Sequence, residues 1–229
     1  MCGRFVQFSS LRTLADHFQI EIVGNEWTAS YNIAPTQEIY AVIHQNGRRL
    51  KKFHWGLVPF WSKNVSGASR LINARAETVA QKPSFRAAFK RRRCLILSDG
   101  YYEWKGEKGN KQPYYIFLPD RQPLAFAGLW EVWKPRDAGD DQSTYDSCTI
   151  ITREASNSVR DIHHRMPVIL KPEAYDRWLN PENQQTDRLQ NIIDTEHIRK
   201  LKYFPVSKMV GRVHNNTPEL IQPLSDEVA

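Results

Sequence analysis

Cysteine is scarce in this chain, and its few copies stand far apart. Cys2, Cys94 and Cys148 are an odd number at wide spacing, with no C-x-x-C pair. That excludes a disulfide framework of the secreted kind and a thiolate zinc knot. The histidines add no H-x-x-x-H or H-E-x-x-H spacing, so no metal is expected, and no organic cofactor either. Long apolar runs are missing as well. None reaches the roughly 20 residues that span a bilayer, and the N-terminus turns polar too soon for a signal peptide. The expectation is a soluble, intracellular protein, cytoplasmic if bacterial, with no membrane partner. There are no repeats and no low-complexity linker, and 229 residues suffice for one sizeable core, so a single domain over residues 1–229 is expected. Acidic residues are fewer than basic ones, 25 against 32. The resulting +7 points to a polyanionic partner, with a merely solvated basic surface an equally good account from charge alone.

What is present begins at the first five residues, Met1-Cys2-Gly3-Arg4-Phe5. Initiator methionine is trimmed when a small residue follows, so the mature chain is expected to start at Cys2. An α-amino group titrates near 8, about two units below lysine, which makes it the readiest nitrogen nucleophile in the chain. Beside it, an unperturbed thiol near 8.5 is a few per cent thiolate and a strong nucleophile. The pair is a 1,2-aminothiol, able to condense with an aldehyde at nitrogen and close through sulfur to a five-membered thiazolidine. The plain alternative is a small residue at a frayed terminus.

Further along, Ser9 or Ser10 can cap a helix with Leu11, Leu14, Ala15 and Phe18 on one face. Tyr31 to Thr36 reads as irregular, with Pro35 holding its neighbour extended. Glu38–His44 is β-prone, Asn46-Gly47 signals a hairpin, and Arg48–Trp55 returns. Gly56 to Arg70 is loop-like and carries Phe60 and Trp61, an aromatic pair that either packs on the core, the default, or stacks on bases. A helix from Ser84 ends in Lys90-Arg91-Arg92-Arg93, which complements the helix dipole or meets phosphate. Cys94 to Leu97 is a buried strand that turns through Ser98-Asp99-Gly100 into Tyr101-Tyr102-Glu103-Trp104. Strands at 114–118, 124–133 and 148–152 follow, with the polar stretch 136–143 as a mobile insertion. Glu154 to Arg160 reads as a brief helix. Pro172-Glu173 and Thr186-Asp187 start two more helices, and the tail from Gly211 to Leu224 is extended coil wrapping the body. Short strands without strict βαβ alternation give an α+β fold, one domain with a curled, largely antiparallel, open barrel-like sheet and surrounding helices.

Three stretches carry candidate chemistry. Alternation puts Glu103 on the face opposite Tyr102 and Trp104, where desolvation would raise its pKa toward a useful proton donor; a solvent-facing edge glutamate is the plain reading. Asn73 and Arg75 share one face of a short strand, a polar pair that needs partners if buried. His163 and His164 sit between Asp161 and Arg165, and in extended backbone only one of the two histidines can address a given site.

Six ordered blocks, Met1–Phe5, Tyr31–Pro35, Trp55–Leu57, Ile72–Thr78, Asp99–Trp104 and Ile162–Pro167, together resemble the SOS-response-associated peptidase (SRAP) family across nearly the whole chain. The resemblance implies covalent capture of abasic sites in single-stranded DNA through a thiazolidine at Cys2, with some lyase behaviour, and, as the alternative, an autoproteolytic peptidase that removes Met1. It implies Cys2 as linking nucleophile, Asn73 holding the opened sugar, Glu103 handling protons and His163 assisting Schiff-base and ring-opening steps. It implies Arg75 and Arg165 on flanking phosphates, Asn32, Pro35 and Trp61 packed around a bent strand, and Arg4 near the site beside Cys2. Where some members have paired tryptophans this chain has Trp61-Ser62. A monomer is expected; replication-fork proteins are conceivable partners that no residue pattern names.

Overall fold

The computed structural model describes residues 2–21, 27–107, 109–135 and 144–224. Met1 and the polar stretch 136–143 lie outside them. In chain order the elements are β1 (Phe5–Gln7), α1 (Leu11–Phe18), β2 (Ser30–Ile33), β3 (Glu38–His44), β4 (Arg48–Trp55), β5 (Asn73–Arg75), α2 (Arg86–Arg91), β6 (Arg93–Ser98), β7 (Gly100–Lys105), β8 (Gln112–Phe117), β9 (Leu124–Trp133), β10 (Tyr145–Glu154), β11 (Arg165–Pro167), α3 (Tyr175–Leu179), α4 (Thr186–Thr195) and β12 (Lys202–Pro205).

Local chemistry sets several of these boundaries. Ser10 Oγ accepts from the Thr13 backbone N–H and starts α1, whose Leu14 and Phe18 are buried. Between β3 and β4, Asn46 and Gly47 both take positive φ, 52° and 109°, as a tight hairpin requires. Between β6 and β7 the Asp99 carboxylate receives the Phe8 and Ser9 backbone N–H groups at 2.6 and 2.9 Å, fastening the chain before α1 to this turn. Gly100, at φ 153°, lies against the next strand: a Cβ there would meet the Tyr115 ring at 2.5 Å and the Ile116 carbonyl at 2.7 Å.

Two sheets form, and the fold is α+β. The smaller runs β12-β8-β7-β1-β2; the larger runs β11-β10-β4-β3-β6-β9, and β9 also pairs β10, so the larger sheet curls back on itself. Among the named strands pairing is antiparallel except where β10 meets β4 and β5. Alternation sorts the core into layers. Val42, Leu95, Leu97 and Ile151 face the helices, while Ile39, Ile96, Phe126 and Ile150 face Phe5, Tyr101 and Ile116 of the smaller sheet. Val6, Tyr102, Tyr115 and Phe204, on the far side of the smaller sheet, are covered by Val210 and Leu220. Each large side chain so buried contributes about 1.5–3 kcal/mol. Cys2, Cys94 and Cys148 are all buried free thiols in the layer between the sheets.

Four readings of the sequence are corrected. Tyr31 to Ile33, expected to be irregular, belongs to β2, because Phe5 pairs with Ile33 across the chain. Glu154 to Arg160 is not a helix: β10 continues through Glu154 opposite Arg165, and residues 157–162 are successive turns. The tail from Gly211 does cover the body, but Pro218–Ile221 is a 3-10 turn rather than extended coil, and β12 precedes the tail. The reading of the basic run is corrected only in part: Lys90 and Arg91 do stand in the last turn of α2, as the dipole account expects, but Arg92 and Arg93 beyond it are consumed by the fold. Arg93 is buried, donates to the Trp178, Phe89 and Asn180 carbonyls, and is brought down to about 10 by burial; Arg92 pairs with Glu131 at 2.7 Å. No helix among the described residues is long and apolar enough to cross a membrane.

Candidate functional site

The N-terminal segment is placed by strand pairing. Phe5 lies opposite Tyr101, and the Tyr102 N–H donates to the Arg4 carbonyl at 2.9 Å. Carried two residues further, this register brings Cys2 alongside the end of β7 that holds Glu103. From the other side, Ile72 to Arg75 is clamped to β10: the Ile150 N–H and Trp55 Nε1–H both donate to the Ile72 carbonyl, at 3.1 and 2.9 Å, and Asn73 lies opposite Ile150. Asn73 Nδ2 thereby reaches the Cys2 carbonyl at 2.8 Å. Its Oδ1 is buried with no hydrogen-bond partner among the described residues.

His163 comes from the turns that follow β10. Its Nδ1 lies 3.0 Å from the Arg165 backbone N–H and 3.1 Å from the Arg165 carbonyl, so the main chain pins the ring in either tautomer. The same nitrogen is 4.0 Å from Glu103 Oε1. Cys2, Asn73, Glu103 and His163 therefore converge from four separate stretches of chain. His163 and His164 do not point to opposite faces as extended backbone would require: His164 sits in a bend, its carbonyl accepting from Ala155, and the two rings stack at 4.4 Å.

The electrostatics of the group follow from burial. Cys2 is fully buried, and desolvation, with the Glu103 charge next in weight, pushes its thiol well above the ordinary value. The few per cent of thiolate expected for a free cysteine is thus not available at rest. Burial raises Glu103 and lowers His163, so the carboxyl holds its proton to higher pH and the imidazole stays neutral to lower pH. This is the pairing of a proton donor with a proton acceptor. Tyr101, two residues before Glu103 and on the same face of β7, was not singled out from the sequence. Its side chain is fully buried in the layer with Cys2, and its hydroxyl has no hydrogen-bond partner among the described residues.

The remaining candidates are spread more widely. Arg75 is exposed, next to the buried Ala74. Arg165 is held by a two-point ion pair to Glu77, at 2.6 and 3.0 Å, and also donates to the Thr152 carbonyl. Arg4 Nη1 donates to Asn32 Oδ1 at 2.7 Å and to the Val210 carbonyl at 2.8 Å, and Asn32 Nδ2 serves the carbonyls of Arg212 and Asn215. Both side chains thus tie the C-terminal tail to β1 and β2. Pro35 is half-buried in the turn before β3, followed by Thr36 at φ 74°. Core packing, the default for the 60–61 aromatic pair, is not what occurs: Phe60 is 56% and Trp61 48% exposed. Their turn is nonetheless fastened, Ser62 N–H to the Pro59 carbonyl and Trp133 Nε1–H to the Ser62 carbonyl, both at 2.8 Å. Among the described residues no group of three His, Cys, Asp or Glu side chains is placed to hold a metal ion.

Comparison with known proteins places the whole chain rather than single residues. A family model described as SOS response associated peptidase (SRAP) matches residues 1–213. The chain is 40% identical over 226 residues to the abasic site processing protein YoqW of Bacillus subtilis (strain 168), covering 97% of this chain and 99% of that one. It is 32% identical over 231 residues to the abasic site processing protein YedK of Escherichia coli (strain K12), covering 98% and 100%. A crystal structure of a protein from Bacteroides thetaiotaomicron superposes with a TM-score of 0.81 at 26% identity, covering 97% of this chain and 99% of that chain.

Proposed function

The chain belongs to the SOS response associated peptidase (SRAP) family, and on that footing we propose that it processes abasic sites in single-stranded DNA by covalent capture at Cys2, acting as a monomer. The observation that carries the reading is the position of the second residue, its thiol enclosed and its carbonyl held by Asn73 next to the Glu103 and His163 pair. Once Met1 is removed, Cys2 offers an amine and a thiol on adjacent carbons. The amine adds to the C1′ aldehyde of the opened sugar and loses water to give an imine; the thiol then adds to the imine carbon and its proton passes to nitrogen, closing a thiazolidine. Burial suits this order, because a thiol held protonated is quiet until the imine forms within reach. Glu103 supplies the proton that lets water leave, and neutral His163 accepts one from the adding nucleophile. Asn73, with an unused buried oxygen, holds a sugar hydroxyl. A missing base removes the stacking that would otherwise oppose entry of the sugar, and exposed Arg75 with the Trp61 platform receives the flanking strand. Arg165 reaches a phosphate by exchanging Glu77 for it. An imine also acidifies the neighbouring sugar carbon, so some strand cleavage accompanies capture.

The second reading, a peptidase that excises Met1, needs sulfur to attack first. The raised thiol pKa counts against that order. Incubation with single-stranded DNA carrying one abasic site, followed by denaturing electrophoresis, tests the proposal. A slow-migrating species is expected for wild type and none for Cys2→Ala. Equal crosslinking by both proteins would overturn it.

A further inference from the structure

Beside the Cys2 site the chain makes a turn whose sequence does not suit its shape. The Gln37 N–H donates to the Ala34 carbonyl at 3.3 Å, closing a turn over Pro35 and Thr36. Proline at the second position forbids a positive φ there, and Thr36 at φ 74° supplies one at the third, which makes this a type II turn. That third position calls for glycine or asparagine. Four non-glycine residues take positive φ among the described residues, Gln19, Thr36, Asn46 and Arg121, and only Thr36 is branched at Cβ. A β-branched residue in this region is strained, because its side chain crowds the backbone.

The strain is held in place from both sides. The Thr36 N–H donates to the Trp55 carbonyl at 2.8 Å, the Trp55 N–H to the Gln37 carbonyl at 2.9 Å, and the Ala34 N–H to Gln37 Oε1 at 2.9 Å. Glycine at position 36 would keep every one of these bonds. The threonine side chain adds nothing to them: it is exposed, and its hydroxyl makes no hydrogen bond to a described residue. A strained conformation that its own side chain does nothing to stabilise within the protein points to a use outside it. Its position says which. β1 and β2 pair at Phe5 and Ile33, and Cys2 and Thr36 each lie three residues beyond that pair, at the same end of the two strands. On the other flank, the Trp55 indole N–H donates to the Ile72 carbonyl at 2.9 Å, next to Asn73. Both ties set Thr36 on the solvent-facing rim beside Cys2.

We propose that the Thr36 hydroxyl donates to a phosphate oxygen of the single strand held at Cys2, and that the strained turn fixes the direction of this donor. The contact rests on the reading of the chain as a protein of abasic single-stranded DNA. A lesion site must accept any neighbouring base, and the phosphate is the acceptor that every sequence brings to the same place. A hydroxyl has a proton to give and no charge, so it positions that phosphate without releasing counterions. Branching at Cβ narrows the choice of χ1, which sets the hydroxyl before the strand arrives. Serine would keep the donor but leave it free to turn.

Variants of the full chain separate the hydroxyl from the strain. Thr36→Val keeps the shape and the strain but loses the donor, Thr36→Gly loses both, and Thr36→Ser keeps the donor. Affinity for an intact thymidylate strand is read by fluorescence anisotropy over a range of salt, and each protein is melted. Thr36→Val and Thr36→Gly should bind about three- to tenfold more weakly than wild type with an unchanged salt slope, and Thr36→Ser within about twofold. Of these, Thr36→Gly should melt highest, about 2–4 °C above wild type, since the strain it relieves outweighs the flexibility it adds. An equal loss on adenylate strands assigns the contact to phosphate, and a loss confined to one base overturns it. Wild-type affinity in Thr36→Val overturns the proposal and leaves capture at Cys2 standing; a Thr36→Gly protein that melts with or below wild type removes the strain on which it is built. A wild-type chain that binds no single strand overturns the reading of its function, and this contact with it.

Discussion

Burial decides what each side chain around Cys2 can do. A hydroxyl enclosed without a partner forfeits about 1–3 kcal/mol of hydration, so Tyr101→Phe should leave stability unchanged or raise it by about 1 kcal/mol. If that hydroxyl steadies sulfur or sugar during capture, the same change should slow crosslinking several-fold; thermal melting beside a timed crosslinking assay separates the two effects. Glu103 acts on pH. Its folded pKa is raised, so the proton it would donate persists above the ordinary carboxylate range and is lost as pH rises through the folded value. Capture should therefore fall on the alkaline side in wild type. Glu103→Gln, with no proton to give, should be slower by roughly 10²-fold or more at the optimum and show no such limb; an unaltered profile in the variant would assign the limb elsewhere. Glu103 was legible in the sequence because period-two alternation set it opposite Tyr102 and Trp104. The same rule places Tyr101 beside it, but that its hydroxyl lacks a partner depends on strands far away in sequence.

At the scale of elements, legibility follows how locally a segment is determined. The β3–β4 hairpin is set by Asn46-Gly47 and α1 by Ser10, each a signal within a few residues of what it controls. β2 was invisible because the pairing of Phe5 with Ile33 is tertiary, and the turns at 157–162 were mistaken for a helix because β10 extends to bind β11. The four residues gathered at Cys2 were legible as chemistry but not as neighbours, since their meeting depends on the long-range pairing of β1 with β7 and of β5 with β10. Arg4 and Asn32 show the other side of this. Resemblance points them at DNA, whereas their bonds run to Val210, Arg212 and Asn215 of the tail. Asn32→Ala should leave the Arg212 and Asn215 carbonyls without that donor, cost about 1–3 kcal/mol, and speed proteolysis within residues 207–216. A stable, protease-resistant Asn32→Ala protein that has lost DNA affinity would instead place Asn32 on the strand. The Arg165–Glu77 pair makes a related prediction. Glu77→Gln releases a guanidinium and removes a negative charge, so affinity for intact single strands should rise a few-fold at low salt, read by anisotropy, and the gain should fade as salt is added.

For the molecule as a whole, net charge says less than where charge is spent. Of the excess of +7, Arg93 serves carbonyls in the core, Arg4 the tail, and Arg92 and Arg165 carboxylates, so stability against pH is governed by a few buried groups. They act in opposite directions. Burial, with the Arg153 and Arg199 guanidinium groups, holds His197 at about 4 when folded against about 6.5 when unfolded. Between those values the unfolded chain binds the extra proton, so this residue's contribution is intact above about 6.5 and is lost as pH falls toward 4. Asp99, Glu103 and Glu131 are raised by burial, so the folded chain binds their protons more readily and they favour folding as pH falls through their range. Wild-type melting therefore reports a difference, and the histidine is isolated by comparison with His197→Gln, which keeps a polar side chain but does not titrate. The full shift corresponds to about 3 kcal/mol, and screening by solvent reduces it to about 1. On acidification from pH 7 to 4.5 the melting temperature of wild type should drop by a few degrees more than that of His197→Gln. Parallel curves for the two proteins would mean that the ring is already relieved of its two guanidinium neighbours in solution.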